Sequence, residues 1–237
     1  MSRFSSILIT GANRGLGLEF VKQFIKFDPK VDTIIAVCRN PDNAQELQQV
    51  SSSTDNVKII GLDVKDYSKY DQAYEQIEKI VGDKGLDLLI NNAGIALRGN
   101  LDVVTPQDML ENFEVNAVAP LMFSRKLIPL VKSSKTKVIV NISSELGSIA
   151  NCSGQMYPYK TSKAALNMVT KCMACDLKKD DITCVALHPG WVVTDMGGPR
   201  AHLKVDESIS KMIEVIKKID INSTGSFLSY NGETLPW

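Results

Sequence analysis

Short apolar runs alternate with amphipathic segments along the whole chain. The first run, Ser5–Thr10, stops at a glycine, and the next stretch carries apolar residues at the spacing of a helix. This pattern recurs, and it predicts strands at 5–10, 33–37, 57–62, 86–90, 137–142, 183–187 and 226–228. Between them it predicts helices at 15–27, 42–50, 67–81, 106–131, 158–177 and 206–218.

Strands that alternate with helices are typical of an α/β protein. Because the predicted strands are apolar on both faces, they favour a parallel sheet covered by helices on each side, the doubly wound arrangement. No linker-like segment interrupts the pattern, so we expect a single domain over residues 1–237 with about seven strands. Ligands of such folds lie at the carboxyl ends of the strands, and we look for chemistry there.

Composition and charge argue against some classes of binding partner. The 27 basic and 27 acidic side chains give a formal net charge of zero, so no global field attracts nucleic acid or anionic lipid. No apolar stretch approaches the ~18 residues of a membrane span, and the start of the chain lacks the form of a signal peptide. Five cysteines, an odd number, favour free thiols and a cytoplasmic protein. We expect neither a nucleic acid nor a membrane partner.

Cys172 and Cys175 form a C-x-x-C pair, which in other contexts is a metal or redox motif. Here the pair falls inside a predicted helix without a second pair, and only His188 and His202 could add ligands. We therefore expect no metal site and interpret both cysteines as small buried side chains.

A glycine-rich turn follows the first predicted strand. Gly11, Gly15 and Gly17 in this turn allow a close approach of the backbone to a pyrophosphate at the start of the next helix. Tight turns also need glycine for backbone reasons alone, and the spacing G-x3-G-x-G differs from the common G-x-G-x-x-G. The turn by itself leaves nucleotide binding open.

Further motifs follow later strands in a fixed order: N-N-A-G at 91–94, an asparagine at 116, N-I-S-S at 141–144, Y-x3-K at 159–163 and P-G at 189–190. Together with the T-G-x3-G-x-G turn at 10–17, this series resembles the short-chain dehydrogenase/reductase family over essentially the whole chain. The stretches at 157–167 and 187–198 resemble its carbonyl reductase branch, of the Sniffer and C-factor type.

The resemblance implies a Rossmann-type fold, a homodimer or homotetramer built through the helices before and around the tyrosine, and a set of site residues. The implied catalytic residues are Asn116, Ser144, Tyr159 and Lys163. The implied cofactor-binding residues are Gly11, Asn13, Arg14, Gly15, Leu16, Gly17, Arg39, Asp63, Val64, Asn92, Ala93, Gly94, Tyr159, Lys163, Pro189, Gly190, Val192 and Thr194. Among these, Asp63 resembles the adenine contact, and Thr194 resembles a contact to the nicotinamide-side phosphate or carboxamide.

Tyr159 and Lys163 lie four residues apart, so they share one face of a helix. An ammonium about 5 Å away favours the phenolate by roughly 3 kcal/mol, which predicts a Tyr159 pKa lowered toward neutral. A general acid of this kind can protonate the alkoxide that forms when hydride reaches a carbonyl carbon. The rival phenol, Tyr157, has the uncharged Thr161 at the equivalent position.

Ser144 ends the fifth predicted strand, where its hydroxyl can donate to a substrate carbonyl. Ser143 faces the other way because strand side chains alternate, and the second serine matches the family motif. The distance in sequence from Ser144 to Tyr159 predicts a longer substrate-side loop over 145–157.

Asn116 lies within a predicted helix, four residues before Pro120. Since proline has no N–H, the Asn116 carbonyl loses its usual donor, and the helix must bend there. The family uses this asparagine to anchor a water that links the lysine ammonium to solvent, and the bend gives a local reason for a free carbonyl.

The residues at the end of the second predicted strand indicate which dinucleotide the protein binds. This strand ends in Cys38 and Arg39, without the acid that binds the ribose hydroxyls of NAD. Arg14 and Arg39 can instead close on a 2′-phosphate from two sides, which predicts NADP(H).

These residues predict an NADPH-dependent carbonyl reductase for a small-molecule aldehyde, ketone or quinone-like carbonyl. The candidate lining of an apolar substrate pocket is Leu97, Leu146, Ile149, Met156 and Trp191. One alternative is a reductase or dehydrogenase for a defined acyl, steroid or pteridine substrate. Another is a regulator that binds the cofactor without turnover.

Overall fold

The computed structural model describes residues 3–237. Met1 and Ser2 lie outside the described residues, and the prediction that the start of the chain is not a signal peptide falls partly on them. The strands are β1 (Ser6–Thr10), β2 (Thr33–Cys38), β3 (Val57–Gly61), β4 (Leu88–Asn91), β5 (Val138–Ile142), β6 (Thr183–His188) and β7 (Phe227–Ser229). They form one seven-stranded sheet in the order β3-β2-β1-β4-β5-β6-β7, and every neighbouring pair is parallel. The predicted parallel sheet is confirmed.

The α-helices are α1 (Gly15–Ile25), α2 (Gln45–Ser52), α3 (Tyr70–Val81), α4 (Pro106–Phe113), α5 (Ala119–Ser133), α6 (Tyr157–Leu177) and α7 (Val205–Ile216). Short 3₁₀ turns precede α2 and α3, at Pro41–Asn43 and Tyr67–Lys69. The helices predicted near 42–50 and 67–81 therefore begin as 3₁₀ turns.

Helices cover both faces of the sheet because successive strand residues point to opposite sides. Ile7 and Ile9 of β1 pack into the core under α1, α2 and α7. Leu8, between them, packs into the second core under α3, α5 and α6. This division confirms the doubly wound arrangement.

The long helix predicted over 106–131 is interrupted. Residues Glu114–Val118 form a π-helical segment between α4 and α5, in which the Ala119 N–H bonds to the Glu114 carbonyl five residues back. Pro120 follows directly, so the chain leaves regular α-helix where proline removes a donor. The predicted bend is thus a π segment.

Cys172 and Cys175 lie on the exposed surface of α6, so their interpretation as buried side chains is wrong. All five cysteines carry free thiols. Among residues 3–237, no helix combines the length and apolar composition that crossing a membrane needs.

The strand order reverses direction at β1 and β4, which are neighbours in the sheet although α1, β2, α2, β3 and α3 separate them in sequence. In parallel α/β sheets, this reversal opens a crevice at the carboxyl ends of the strands. The glycine turn and the N-N-A-G, N-I-S-S and P-G motifs lie at this edge.

Candidate active site

The glycine turn after β1 packs directly against the N-N-A-G segment after β4. Gly11 has φ +65°, and a Cβ there would come within 2.9 Å of Ala93 Cα. A Cβ on Gly17 would stand 2.2 Å from the Gly11 carbonyl oxygen and 2.7 Å from Asn92 Nδ2. Both positions therefore need glycine, and the two loops meet at van der Waals distance.

Hydrogen bonds fix this junction. The Asn92 amide Nδ2 donates to the carbonyls of Thr10 (2.9 Å) and Gly11 (3.2 Å). The Thr10 hydroxyl accepts from the backbone N–H groups of Asn92 and Ala93, both at 3.0 Å. Sequence reasoning missed this role of Thr10, although its position directly before Gly11 in the T-G-x3-G-x-G motif was a signal for it.

The first turn of α1 faces the crevice. Arg14 is the N-cap residue, and no side chain of the described residues caps this helix there. The exposed Asn13 and the half-buried Leu16 flank the turn, and a Cβ on Gly15 would lie 3.8 Å from Thr194 Cγ2, so the loop after β6 reaches it. Uncapped N–H groups and the positive end of the helix dipole fit a pyrophosphate.

The two arginines that the sequence assigned to the cofactor phosphate, Arg14 and Arg39, are both exposed. Arg39 follows β2 and is exposed, while the preceding Cys38 is buried and no carboxylate ends the strand. Arg14 forms an ion pair with Asp195 at 2.5 Å. Because both partners are largely exposed, this ion pair is weak.

Asp63 and Val64 follow β3 at the same edge. The Asp63 carboxylate accepts from the Lys65 N–H at 3.0 Å, and the Val64 carbonyl accepts from the Tyr70 hydroxyl at 2.6 Å. Tyr70 thereby holds the loop that the sequence assigned to adenine. Sequence reasoning missed Tyr70, because a tyrosine at a helix start has no local signature of such a contact.

Ser143 and Ser144 follow each other at the end of β5 and bond to different residues of α6. The Ser143 hydroxyl donates to Asn167 Oδ1 at 2.6 Å, on the side of α6. Ser144 instead forms a side-chain hydrogen bond with Tyr159. The structure therefore brings together the serine and the tyrosine that the sequence selected.

Lys163 lies one turn after Tyr159 and is 5% exposed. Its Nζ lies 5.7 Å from the centroid of the Tyr159 ring and donates to the Ile142 carbonyl at 2.8 Å. Burial lowers the pKa of Lys163 to about 8.

The prediction that Lys163 lowers the pKa of Tyr159 toward neutral is wrong for this structure. Burial raises the pKa of Tyr159, and the hydrogen bond from Ser144 opposes that rise only in part. The sequence argument counted the attraction of the ammonium and omitted the desolvation of the phenolate, which is the larger effect in this buried site. Tyr159 is protonated at neutral pH.

Asn116 lies in the π segment and bridges two parts of the site. Its amide exchanges hydrogen bonds with the Ile95 backbone, at 2.8 Å to the carbonyl and 2.9 Å from the N–H, and donates to Ser162 Oγ at 2.9 Å. A Cβ on Gly94 would lie 3.1 Å from Asn116 Oδ1 and 3.7 Å from Lys163 Nζ. The asparagine side chain thus ties the loop after β4 to α6 beside Lys163.

The P-G segment after β6 closes the site. The Pro189 carbonyl accepts from the Ser208 hydroxyl at 2.6 Å, which anchors it to α7. Gly190 has φ +83°, and a Cβ there would meet Leu203 at 2.8 Å. Val192 is buried and forms a β-bridge with Leu203, which fixes the direction of the loop toward Thr194.

The side chains of the predicted apolar lining differ in exposure. Leu97, Leu146 and Met156 are half-buried, whereas Ile149 is 77% exposed and Trp191 45% exposed. Ile149 therefore lies on the surface and not in an enclosed lining.

The site combines a glycine turn at a helix N-terminus with a hydrogen-bonded serine and tyrosine and a buried lysine. This combination is typical of dinucleotide-dependent oxidoreductases. The family model described as short chain dehydrogenase matches residues 5–204, and the chain belongs to this family. The resemblance read from the motifs is confirmed.

Individual relatives agree with this assignment. The C-signal protein of Myxococcus xanthus is 40% identical over 154 residues, which cover 64% of this chain and 93% of that protein. The structure of the carbonyl reductase Sniffer of D. melanogaster superimposes with a TM-score of 0.96 at 39% identity, covering 99% of this chain and 100% of that one. The structure of NADPH-bound carbonyl reductase from chicken fatty liver gives 0.95 at 40% identity, with both chains covered completely.

Proposed function

We propose that this protein is an NADPH-dependent carbonyl reductase that converts an aldehyde, ketone or quinone-like carbonyl to the alcohol. The observation that carries the proposal is the hydrogen-bonded pair Ser144–Tyr159, with Lys163 one helical turn away, at the sheet edge that also holds the glycine turn. Bound NADPH would supply hydride to the carbonyl carbon. The chain's own side chains would orient the carbonyl and deliver the proton.

Tyr159 is suited to deliver that proton in the direction of reduction. Burial raises its pKa, so the phenol holds its proton at neutral pH and can donate it to the developing alkoxide. The Ser144 hydroxyl lies in hydrogen-bond contact with the same phenol and would help to hold the carbonyl oxygen. Asn116 keeps the loop after β4 against α6, and in our proposal it holds the relay water that returns a proton through Lys163.

The crevice fits NADP(H). The pyrophosphate would lie on the first turn of α1, and the exposed Arg39, with Arg14, would hold the 2′-phosphate. The NADPH-bound chicken reductase, 40% identical over the whole chain, supports this choice. We assign the adenine side to Asp63 and Val64, and the nicotinamide side to the loops that contain Gly94, Pro189 and Thr194.

We also propose that the protein works in the cytoplasm as a homodimer or homotetramer. Five free thiols suit a reducing compartment. Leu110 and Phe113 of α4 and Met168 of α6 are exposed apolar side chains on the helices that would meet in such an assembly.

A second candidate is a regulator that binds the cofactor and acts without turnover. The likeness to the C-signal protein of Myxococcus xanthus is the observation that favours it. The contacts among Ser144, Tyr159 and Lys163 favour the reductase instead, since a binding protein has no need of a proton donor in the crevice.

The substitution Tyr159→Phe separates the two candidates. It removes one hydroxyl from a buried ring, so we expect NADPH affinity close to wild type and a fall in kcat of ~10²–10⁴-fold. The measurement is NADPH oxidation with a panel of carbonyl compounds, beside a calorimetric Kd for NADPH. Tyr157→Phe, two residues earlier, is the matched control and should change kcat little. Normal turnover by Tyr159→Phe contradicts the assigned acid, and a wild type that reduces no carbonyl supports the regulator.

A further inference from the structure

The loop over 148–156, between Ser144 and Tyr159, ends in an unusual backbone conformation. Gly154, Gln155 and Met156 have φ values of 72°, 57° and 51°, three left-handed residues in succession. Gln155 and Met156 are two of the three non-glycine residues with positive φ in the described part of the chain. A side chain disfavours this region, so such a run persists only where its surroundings hold it.

The side chain of Lys160 forms hydrogen bonds to this loop. It reaches back from the first turn of α6, where Nζ donates to the Ser153 hydroxyl at 3.1 Å and to the Gly154 carbonyl. The residue is 9% exposed, and no carboxylate between residues 3 and 237 forms an ion pair with it. A buried ammonium needs hydrogen-bond acceptors, and two of its three donors are directed to this loop.

Other contacts fix the two sides of the same loop. The Ala150 N–H donates to the Trp237 carbonyl at 3.1 Å, and the Tyr157 N–H donates to the Gly99 carbonyl at 3.0 Å. Between these points, Lys160 makes the side-chain hydrogen bonds to Ser153 and Gly154. Its ammonium thus joins Ser153 and Gly154 of this loop directly to the first turn of α6.

We propose that Lys160 is a positioning residue that holds residues 153–156 in the left-handed conformation and thereby sets the substrate-side wall next to Tyr159. Lys160 follows Tyr159 in the chain, so one turn of α6 carries both the proposed proton donor and the anchor of the loop. The effect on substrate rests on the proposed reductase function, whereas the anchoring itself can be measured without activity.

Hydrogen exchange of peptides covering 150–156 tests the anchor. Lys160→Met keeps the length of the side chain and removes the ammonium, so we expect exchange to become about tenfold faster in this loop, from the loss of hydrogen bonds to a charged donor. Lys178→Met, an exposed lysine at the end of the same helix, is the control and should leave the loop unchanged. Lys160→Arg retains N–H donors and should restore slow exchange. Unchanged exchange in Lys160→Met overturns the proposal.

Steady-state kinetics test the positioning. For Lys160→Met we expect KM for the carbonyl to rise about tenfold, with kcat within about twofold and an unchanged Kd for NADPH, because the lost contacts act on the substrate side. Arginine at the same position should return KM toward wild type. A faster-exchanging loop with unchanged KM overturns the positioning role, and so does equal loss of cofactor binding and turnover. A wild type inactive on all carbonyls contradicts the proposed reductase instead, while the exchange experiment still decides whether Lys160 anchors the loop.

Discussion

At the scale of one residue, Lys163 lowers the stability of the folded protein because its charged side chain is buried in the site. Its ammonium is buried beside Tyr159 with the Ile142 carbonyl as its hydrogen-bond acceptor, and burial lowers its pKa from 10.5 to about 8. Below pH 8 the folded protein bears the full cost of this buried charge, about 3 kcal/mol. An apolar side chain of similar size at this position would avoid this cost in folding free energy.

We therefore predict that Lys163→Met loses turnover and gains stability. The gain at pH 7 should be about 1 kcal/mol, because the lost hydrogen bond from a charged donor, worth about 1.5–3 kcal/mol, offsets most of the cost of the buried charge. The folded pKa lies below the unfolded pKa, so wild type recovers stability as pH rises from 8 toward 10.5, and the difference between the proteins narrows. Urea unfolding at pH 7 and pH 9.5 measures both effects. A variant less stable than wild type at pH 7 contradicts the account.

Arg39 is the second residue whose role can be measured separately. Arg39→Ala should weaken NADPH binding by about 1.5–3 kcal/mol, the value of a hydrogen bond to a charged group, and leave NADH binding nearly unchanged. Isothermal titration with both cofactors is the measurement, and Arg125→Ala, an exposed arginine of α5, is the control. Equal losses for the two cofactors would show that Arg39 does not contact the 2′-phosphate.

At the scale of single residues, the sequence predicted which side chains meet in the site better than it predicted their pKa values. Strand alternation, a local rule, predicted that only one of Ser143 and Ser144 faces the site, and the match to the family motif selected Ser144. The pKa of Tyr159 was not predictable, since burial by residues distant in sequence outweighs the nearby ammonium. Lys160 carried no sequence signal, because its acceptors in the loop take positions that only the folded backbone provides.

Among the elements, the π segment Glu114–Val118 has the clearest local cause and the most direct link to the site. It directs the Asn116 side chain onto Ile95 and Ser162, and Pro120 follows it without an N–H for the Asn116 carbonyl. Single π turns inside α-helices occur frequently at functional sites.

Pro120→Ala should convert part of this segment to regular α-helix. The new N–H can bond to the Asn116 carbonyl, which rotates the asparagine away from Ile95, so we expect kcat to fall by about 10–100-fold. The Kd for NADPH should change little, because the glycine turn lies on other elements. Pro129→Ala, in the interior of α5, is the control for removing a proline and should retain turnover. Unaltered kcat in Pro120→Ala would mean that packing, and not proline, maintains the π segment.

The sequence predicted which elements exist and their order, and was less accurate about their ends. Two-sided apolar strands and helical spacing are properties of single segments, so all seven strands could be identified. The 3₁₀ starts at Pro41–Asn43 and Tyr67–Lys69 and the form of the helix break depend on hydrogen-bond choices that periodicity does not encode.

For the molecule as a whole, one carboxylate joins the amino ends of three strands, on the side opposite the active site. Asp87 is 5% exposed and precedes β4. It accepts from the N–H groups of Ser5 (2.6 Å) and Ser6 (3.4 Å) at the start of β1, and of Thr136 (3.1 Å) before β5. Its loss leaves the buried N–H of Ser6 and the half-buried N–H groups of Ser5 and Thr136 without this acceptor at the amino ends of the strands.

Asp87→Ala should lower the free energy of unfolding by about 3–5 kcal/mol, whereas Asp87→Asn, which keeps one acceptor oxygen, should lose less. Urea unfolding at pH 7 gives the values, and Asp83→Ala at an exposed position nearby is the control. Cofactor affinity of the folded fraction should not change, since Asp87 lies at the far end of the strands. A loss below about 1 kcal/mol for Asp87→Ala would contradict this role.

The neighbour relation of β1 and β4 also matters while the protein is being synthesised. β1 acquires β2 as a partner early, but its other edge waits for β4, which begins at Leu88. At about 5–20 residues per second, the ribosome takes several seconds to make the intervening chain. During that time the apolar residues Ile7, Leu8 and Ile9 present an open strand edge, the kind of surface that pairs with other chains. Heterologous production should therefore depend on chaperones and temperature during translation, even though the finished sheet has no such edge at its centre.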